Sequence, residues 1–319
     1  MLARLQQGIT LGLVALASIC AAYFFKSGQP ILAASGALLI VFGYALVLAV
    51  EFILLGFIQE RKPTPPPTTR QLFRAWWAEV MTAPRVFCWR QPFRTDVEPD
   101  LVSDAAGRRG IVFVHGFFCN RALWNPWMTR LRAEGVPFIA VSLEPVFGSI
   151  SDYVSTIEAA VTRLEAATGR APLIVAHSMG GLAVREWLHR VERGHLRVHH
   201  VVTIGTPHHG TWIARWGRTV NGTEMRLKSP LVTRLAEAGT AQRHSLFTCF
   251  YGNCDNIVFP ASTATLAGAD NRHLPGVAHV QMAFHESVFS EAWRLLKGPA
   301  QDAPTVPAFR FKGRLENEL

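Results

Sequence analysis

What this sequence has little of narrows its class first. Its five cysteines, Cys20, Cys88, Cys119, Cys249 and Cys254, are odd in number and scattered. That pattern excludes a disulfide framework, and no pair has metal-site spacing. A bridge between Cys249 and Cys254 over a short loop stays open. Blocks of like charge and RNA-binding signatures are missing. The formal net charge of +9 therefore argues for an anionic membrane surface as partner and against nucleic acid. There are no internal repeats, and low complexity is confined to one proline-rich stretch. What is present is length and apolar surface. The 319 residues, 49% of them apolar and unevenly spread, suffice for one large α/β domain and an appendage.

The appendage is N-terminal. Residues 9–25 form an uncharged apolar run of about one membrane-spanning length. Lys26-Ser-Gly-Gln-Pro30 interrupts it, and a longer apolar run at 31–58 follows, broken only by Glu51. Two spans joined by so short a turn predict a transmembrane helical hairpin. A signal peptide ending near Ala22 is the competing reading, but it lacks a convincing cleavage site and a second span follows at once. Glu51 has no basic partner in either span and is expected to reach toward the interface. Arg4 precedes the first span, and Arg61, Lys62, Arg70 and Arg74 follow the second, against Lys26 alone in the turn. The positive-inside rule then puts both ends, and the domain behind them, in the cytoplasm.

Lys62-Pro-Thr-Pro-Pro-Pro-Thr-Thr69 reads as a semi-rigid polyproline II linker. Residues 71–81 predict a helix with Leu72, Phe73, Trp76, Trp77, Val80 and Met81 on one stripe and Arg70, Arg74 and Glu79 on the other face. Such a helix suits either the headgroup layer or packing on the domain that follows. Residues 85–92 are expected as an early strand at a sheet edge. Strand and helix patterns then alternate, the sign of a mostly parallel sheet. Strands are expected at 110–115, 138–143, 173–177, 198–205 and 246–251, and helices at 122–134, 150–167 and 286–296. The chain so divides into an anchor of two transmembrane helices at 1–60, a linker and interfacial segment at 61–107, an α/β domain at 108–297, and a tail at 298–319 expected to be disordered.

One stretch organises the α/β domain: Pro172-Leu-Ile-Val-Ala-His-Ser178-Met-Gly-Gly-Leu182. A buried strand ends here, and a helix follows with Met179, Leu182, Ala183, Trp187, Leu188 and Val191 on one side. So sharp a strand-to-helix turn needs a strained residue at its apex and small residues around it. Ala176 and Gly180 flank Ser178 at two positions on either side. The turn pushes a serine hydroxyl clear of the sheet beside the amides of a helix start. The stretch resembles the nucleophile elbow of the α/β-hydrolases, specifically of bacterial lipases, with Ala176 where the usual pattern has its first glycine. The resemblance covers roughly residues 108–297 and implies an α/β-hydrolase fold, a mostly parallel sheet flanked by helices.

The same resemblance assigns roles. A serine hydroxyl is a weak nucleophile until a base takes its proton. Chain order in this fold is serine, acid, histidine. Asp255, in Gly252-Asn-Cys-Asp-Asn-Ile-Val-Phe-Pro260, matches the acid loop, with Asp270 as runner-up. His279, in Leu274-Pro-Gly-Val-Ala-His-Val-Gln-Met282, matches the base, with His273 and His285 as the other candidates. His115-Gly116 resembles the oxyanion loop, so the backbone amides of Phe117 and Met179 are expected to face the carbonyl oxygen of the transition state. His115 itself is read as a structural histidine. Thr203-Ile-Gly-Thr-Pro-His-His-Gly-Thr211 also looks like a loop of the family, and His208 and His209 are expected to pack there rather than to chelate. Residues 212–240 occupy the place of a cap or lid. Ser178, Asp255 and His279 would thus cleave carboxylic esters through an acyl-enzyme, with a lipid or other acyl ester as substrate and without cofactor or metal. Two rivals stay open: an acyltransferase or thioesterase with the same residues, and a non-catalytic membrane-bound interaction protein.

Overall fold

A computed structural model of the chain describes residues 1–58, 60 and 62–298, so the tail expected at 298–319 lies outside the described residues from 299 on. The N-terminal part begins with α1, Leu2–Lys26. It is followed by α2, Pro30–Phe42, and α3, Tyr44–Phe57. Among the described residues, only α1 is by itself long and apolar enough to cross a membrane. The second span expected over 31–58 takes the form of two helices bent by 53° at Gly43, which together pass the same length and apolarity test. Tertiary contacts hold that bend. Tyr44 donates its hydroxyl to the Val80 carbonyl at 2.8 Å, and the Trp76 indole donates to the Ala45 carbonyl at 3.0 Å. Both contacts bind α3 to α4, Thr69–Pro84, which starts on a capping box between Thr68 and Gln71. The edge strand expected at 85–92 is absent. Residues Arg85–Arg90 form a π-helical turn that prolongs α4. The β-favouring Val86, Phe87 and Trp89 are overridden by burial of Val86 in the domain core.

Among the described residues the sheet has six strands, all parallel: β1 Ile111–Val114, β2 Phe138–Ala140, β3 Leu173–His177, β4 His200–Ile204, β5 Phe247–Tyr251 and β6 Asp270–His273, in the order β2-β1-β3-β4-β5-β6. The central register sets Phe113 opposite Val175 and Val175 opposite Val202. Parallel neighbours need crossovers, and helices supply them. Alternate strand residues face opposite layers. Val112, Val114, Ile174 and Ala176 pack against α6, Val154–Thr168, and α7, Met179–Arg190. Ile111, Phe113, Leu173 and Val175 pack against α5, Asn125–Ala133, and a C-terminal helix over Glu286–Lys297. Strand β6 has no counterpart in the sequence reading, because Asp-Asn-Arg-His offers no apolar face; it is a solvent-side edge.

The first turn of α7 lies hard against β1. A methyl group on Gly180 would sit 2.5 Å from the His115 carbonyl oxygen and 2.8 Å from that of Val114. Both obstacles are backbone, at the end of β1 and in the residue just past it, and cannot step aside. Gly180→Ala is therefore expected to cost roughly 3 kcal/mol of stability, read as a clear fall in the thermal unfolding midpoint of the detergent-solubilised chain. An unchanged midpoint would contradict this packing.

Residues 212–240, expected as a lid, form a short turn at Trp212–Trp216 and the helix α8, Pro230–Glu237. They are fastened to the body. Glu224 accepts from Ser149 Oγ at 2.6 Å and from the Ile150 amide at 2.7 Å, and Asn221 donates to the Val146 carbonyl at 2.9 Å. Two further helices close the fold: α9, His279–Met282, and α10, Glu286–Lys297. Cys249 and Cys254 are free thiols, so the bridge left open by their spacing is not made.

Candidate active site

Ser178 sits between β3 and α7 with φ 54° and ψ −129°. A non-glycine residue at positive φ is strained by about 1–3 kcal/mol and persists only where its surroundings hold it. Here the Ser178 amide donates to the Ile204 carbonyl at 2.8 Å, and its carbonyl accepts from Thr206 Oγ1 at 2.9 Å. The residue is pinned from β4 and from the loop behind it.

Asp255 and His279 lie 24 residues apart in sequence and meet directly. The imidazole Nδ1 is 3.0 Å from Asp255 Oδ2 and 2.9 Å from Oδ1. Both side chains are buried. Asp255 is itself aimed by the Ile257 and Val258 amides, which donate to Oδ1 at 3.0 and 2.7 Å. Burial pulls the imidazole down, but the Asp255 carboxylate, with Glu79 and Glu51 behind it, holds His279 above the ordinary histidine value. With Nδ1 taken, Nε2 is the nitrogen left for a hydroxyl. Ser178 Oγ forms no hydrogen bond with His279 in this structure. Such bonds often tighten only when substrate is bound. His177, next to Ser178 in the chain, brings the two regions together. Its ring centroid lies 4.7 Å from that of His279, and its Nε2 donates to the His279 carbonyl at 3.2 Å. Burial, then the neighbouring His279, keeps His177 well below the ordinary value, so it stays neutral.

The His115-Gly116 loop packs on the serine. A methyl group on Gly116 would fall 2.7 Å from Ser178 Cβ and 3.2 Å from the His177 carbonyl, which is why the chain carries none there. Among the described residues, neither the Phe117 nor the Met179 amide donates a hydrogen bond. Phe118 follows at φ 54°, and Phe117, Phe118 and Phe147 form an aromatic group with centroids 6.0 to 6.4 Å apart. His115 is buried, accepts from the Leu143 amide at Nε2 (2.9 Å) and contacts the Gly116 carbonyl through Nδ1 (2.8 Å). Burial takes it down to about 4, which fits the structural role.

The runner-up residues lie elsewhere. Asp270 pairs with Arg272 at 2.8 Å on the exposed edge strand. His273 packs on the Tyr251 ring at 5.5 Å, and His285 accepts from the Ser287 amide at the start of α10. His208 is buried and bonded to Thr203 Oγ1 at 3.1 Å.

Sequence reasoning missed three residues. Glu79, assigned to the polar face of α4, is 1% exposed and accepts from the Val280 and Gln281 amides at 2.8 and 3.1 Å. Glu51, expected at the interface, accepts from Asn256 Nδ2 at 2.7 Å. Asn256, buried beside Asp255, in turn accepts from the His279 amide at 3.3 Å. The only advance signal was a carboxylate in an otherwise uncharged apolar run, which is expensive unless paired. Its partner was not basic, so a search for charge partners passed over it.

A family model described as the alpha/beta hydrolase family matches residues 111–311. Among curated proteins, none matches. Among solved structures, the mature Bacillus licheniformis lipase BlEst2 is similar, with a TM-score of 0.52 at 18% identity over 60% of this chain and 92% of that one. Aspergillus fumigatus lipase B is similar with a TM-score of 0.53 at 16% identity, over 64% of this chain and 55% of that one. At such identities these likenesses bear on the fold alone. With the family matched over most of its length, this chain belongs to the alpha/beta hydrolase family.

Proposed function

We propose that this protein is a membrane-anchored serine hydrolase that cleaves carboxylic esters, with a lipid-like acyl ester as substrate. The observation that carries the reading is the buried Asp255–His279 pair, at 2.9 and 3.0 Å, beside a serine held at positive φ. Ser178 Oγ attacks the ester carbonyl while its proton passes to His279 Nε2. Asp255 keeps the proton on Nδ1 and stabilises the imidazolium. The amides of Phe117 and Met179 take the charge on the carbonyl oxygen. His279 then returns its proton to the leaving alcohol. Water, activated by the same imidazole, releases the acid from the acyl-enzyme. Two of the similar structures, BlEst2 and the Aspergillus lipase B, are lipases, which favours a lipid-like acyl group. So does the aromatic group of Phe117, Phe118 and Phe147 next to the serine.

In this reading α1 crosses the bilayer and the bent pair α2–α3 returns the chain to the same side. Two contacts support a common side for both ends. Gln6 Nε2 donates to the Gln91 side chain at 2.9 Å and to the Phe118 carbonyl at 3.2 Å. Helix α4 lies along the membrane surface, its inner stripe on α3 and Phe73, Trp77 and Met81 exposed. The flanking arginines and lysine put that side in the cytoplasm.

The test is reaction of the wild-type chain with a fluorophosphonate, combined with a panel of acyl esters of rising chain length and a competing alcohol. Labelling, and free acid as main product, are expected. Failure to label removes the serine hydrolase reading, and transfer of most acyl groups to the alcohol replaces hydrolase by acyltransferase. A reporter fused after Leu319 is expected to work in the cytoplasmic mode; activity only on the outer side would reverse the orientation.

A further inference from the structure

The loop that carries His279 is held from outside the hydrolase sheet. Helix α9 opens with the amides of His279, Val280 and Gln281. The first donates to Asn256 Oδ1, and Asn256 is held through its Nδ2 by Glu51 of α3. The other two donate to Glu79 of α4. Phe52 and Leu55 of α3 and Ala75 of α4 pack in one apolar group with Cys254, Phe259 and Ala278. Cys254 and Ala278 are the residues immediately before Asp255 and His279. Both the acid loop and the base loop therefore rest on the anchor.

We infer that Glu51 of the anchor helix α3 and Glu79 of the interfacial helix α4 are positioning residues for His279, so that the membrane-facing part of the chain is a working part of the active site. The inference rests on His279 being the base of the proposed reaction. Two carboxylates do here what neutral acceptors would do only in part. They fix the three amides, and they add negative charge around an imidazole that must become cationic as the serine is deprotonated. The groups facing His279 are Asp255 from the loop after β5, Glu79 from α4, Glu51 from α3 and the neutral His177 from β3. After Asp255, Glu79 and then Glu51 are the groups that raise the imidazole against the pull of burial. Burial lifts Glu79 itself to about 7. Its charge is present above that value and lost as pH falls through it.

The experiment uses the full chain in detergent micelles and a short soluble ester, p-nitrophenyl butyrate, with active sites titrated by fluorophosphonate so that kcat counts competent molecules only. Glu51→Gln and Glu79→Gln are compared with wild type. In each, kcat is expected to fall about tenfold to a hundredfold, with KM nearly unchanged. The acid limb of the kcat/KM profile is expected to move to lower pH, because an imidazole with less negative charge around it loses its proton more easily. Wild-type kcat, or a lower kcat with an unmoved acid limb, overturns the inference; the latter would mark a purely structural role. Should a glutamine variant give no titratable sites, Glu51→Asp or Glu79→Asp decides. Keeping the charge on a shorter arm, it is expected to retain the wild-type acid limb with a reduced kcat, and a wild-type kcat overturns the inference. His279→Ala in the same assay separates the two readings. If it turns over like wild type, the base assignment fails; if it is inactive while the glutamate variants are silent, only the anchor's role fails.

Discussion

Ser178→Ala is expected to abolish fluorophosphonate labelling and to lower ester hydrolysis on the order of 10⁶-fold, with the fold intact. The size follows from the chemistry. In the proposed mechanism the hydroxyl forms the covalent bond of the acyl-enzyme. Cys119 is buried, and burial pushes its thiol up to about 12, so it does not supply a thiolate. The fold survives because the elbow is held by backbone, through the Ser178 amide on Ile204 and the Ser178 carbonyl under Thr206. Removing a strained residue's hydroxyl leaves those bonds in place. The measurement is probe labelling with hydrolysis of a short ester in detergent, with the unfolding midpoint as control. Equal labelling of Ser178→Ala and wild type would move the nucleophile elsewhere and take the proposed function with it.

Asp255→Asn should be nearly as damaging, about 10⁴-fold in kcat, by a different route. An asparagine Oδ1 still accepts from the Ile257 and Val258 amides, so the loop keeps its shape. What is lost is the acceptor for His279 Nδ1–H and the charge beside the imidazolium. The pH dependence gives the sign. As the proposed base, His279 must be neutral to accept the serine proton, so activity is expected to rise as pH climbs through its pKa. In the wild type that value is raised, chiefly because Asp255 outweighs burial. The acid limb should therefore lie above the value for a free histidine, about 6.5, and move to lower pH in Asp255→Asn. A variant within tenfold of wild type, with its acid limb unmoved, would show that Asp255 does not orient the base.

If the anchor helps to hold His279, membrane attachment and turnover are joined through one structure. Solubilisation that loosens α3 from α4 would then lower kcat before it unfolds the sheet. The contacts at stake are few and specific: Tyr44 on Val80, Trp76 on Ala45, and Glu51 on Asn256. Bilayer and detergent preparations compared under one assay would register the difference.

The local parts of this protein were written in short stretches of its sequence. Leu173 to His177 had to be a buried strand because it is apolar on both faces. The change of period after Ser178, with small residues around it, had to be a sharp strand-to-helix turn. Asp255 and His279 were singled out by the resemblance of their loops to the family, since periodicity alone left Asp270, His273 and His285 as candidates. The prolines between Lys62 and Thr68 keep that stretch out of helix, and α4 starts only at Thr69. Long-range matters were decided by tertiary structure alone. A polar strand such as Asp270–His273 exists only because β5 offers an open edge, and the π-helical turn at Arg85–Arg90 only because Val86 has a core to enter. The apolar run at 31–58 determined that the segment avoids water, but its bend at Gly43 comes from α4 packed against α3. Glu51 and Glu79 carry the same lesson. Helical periodicity ranks a carboxylate as outward-facing because a lone buried charge is costly. Its burial becomes tolerable only when amides more than 200 residues away in the chain arrive to meet it, as those of Val280 and Gln281 do for Glu79.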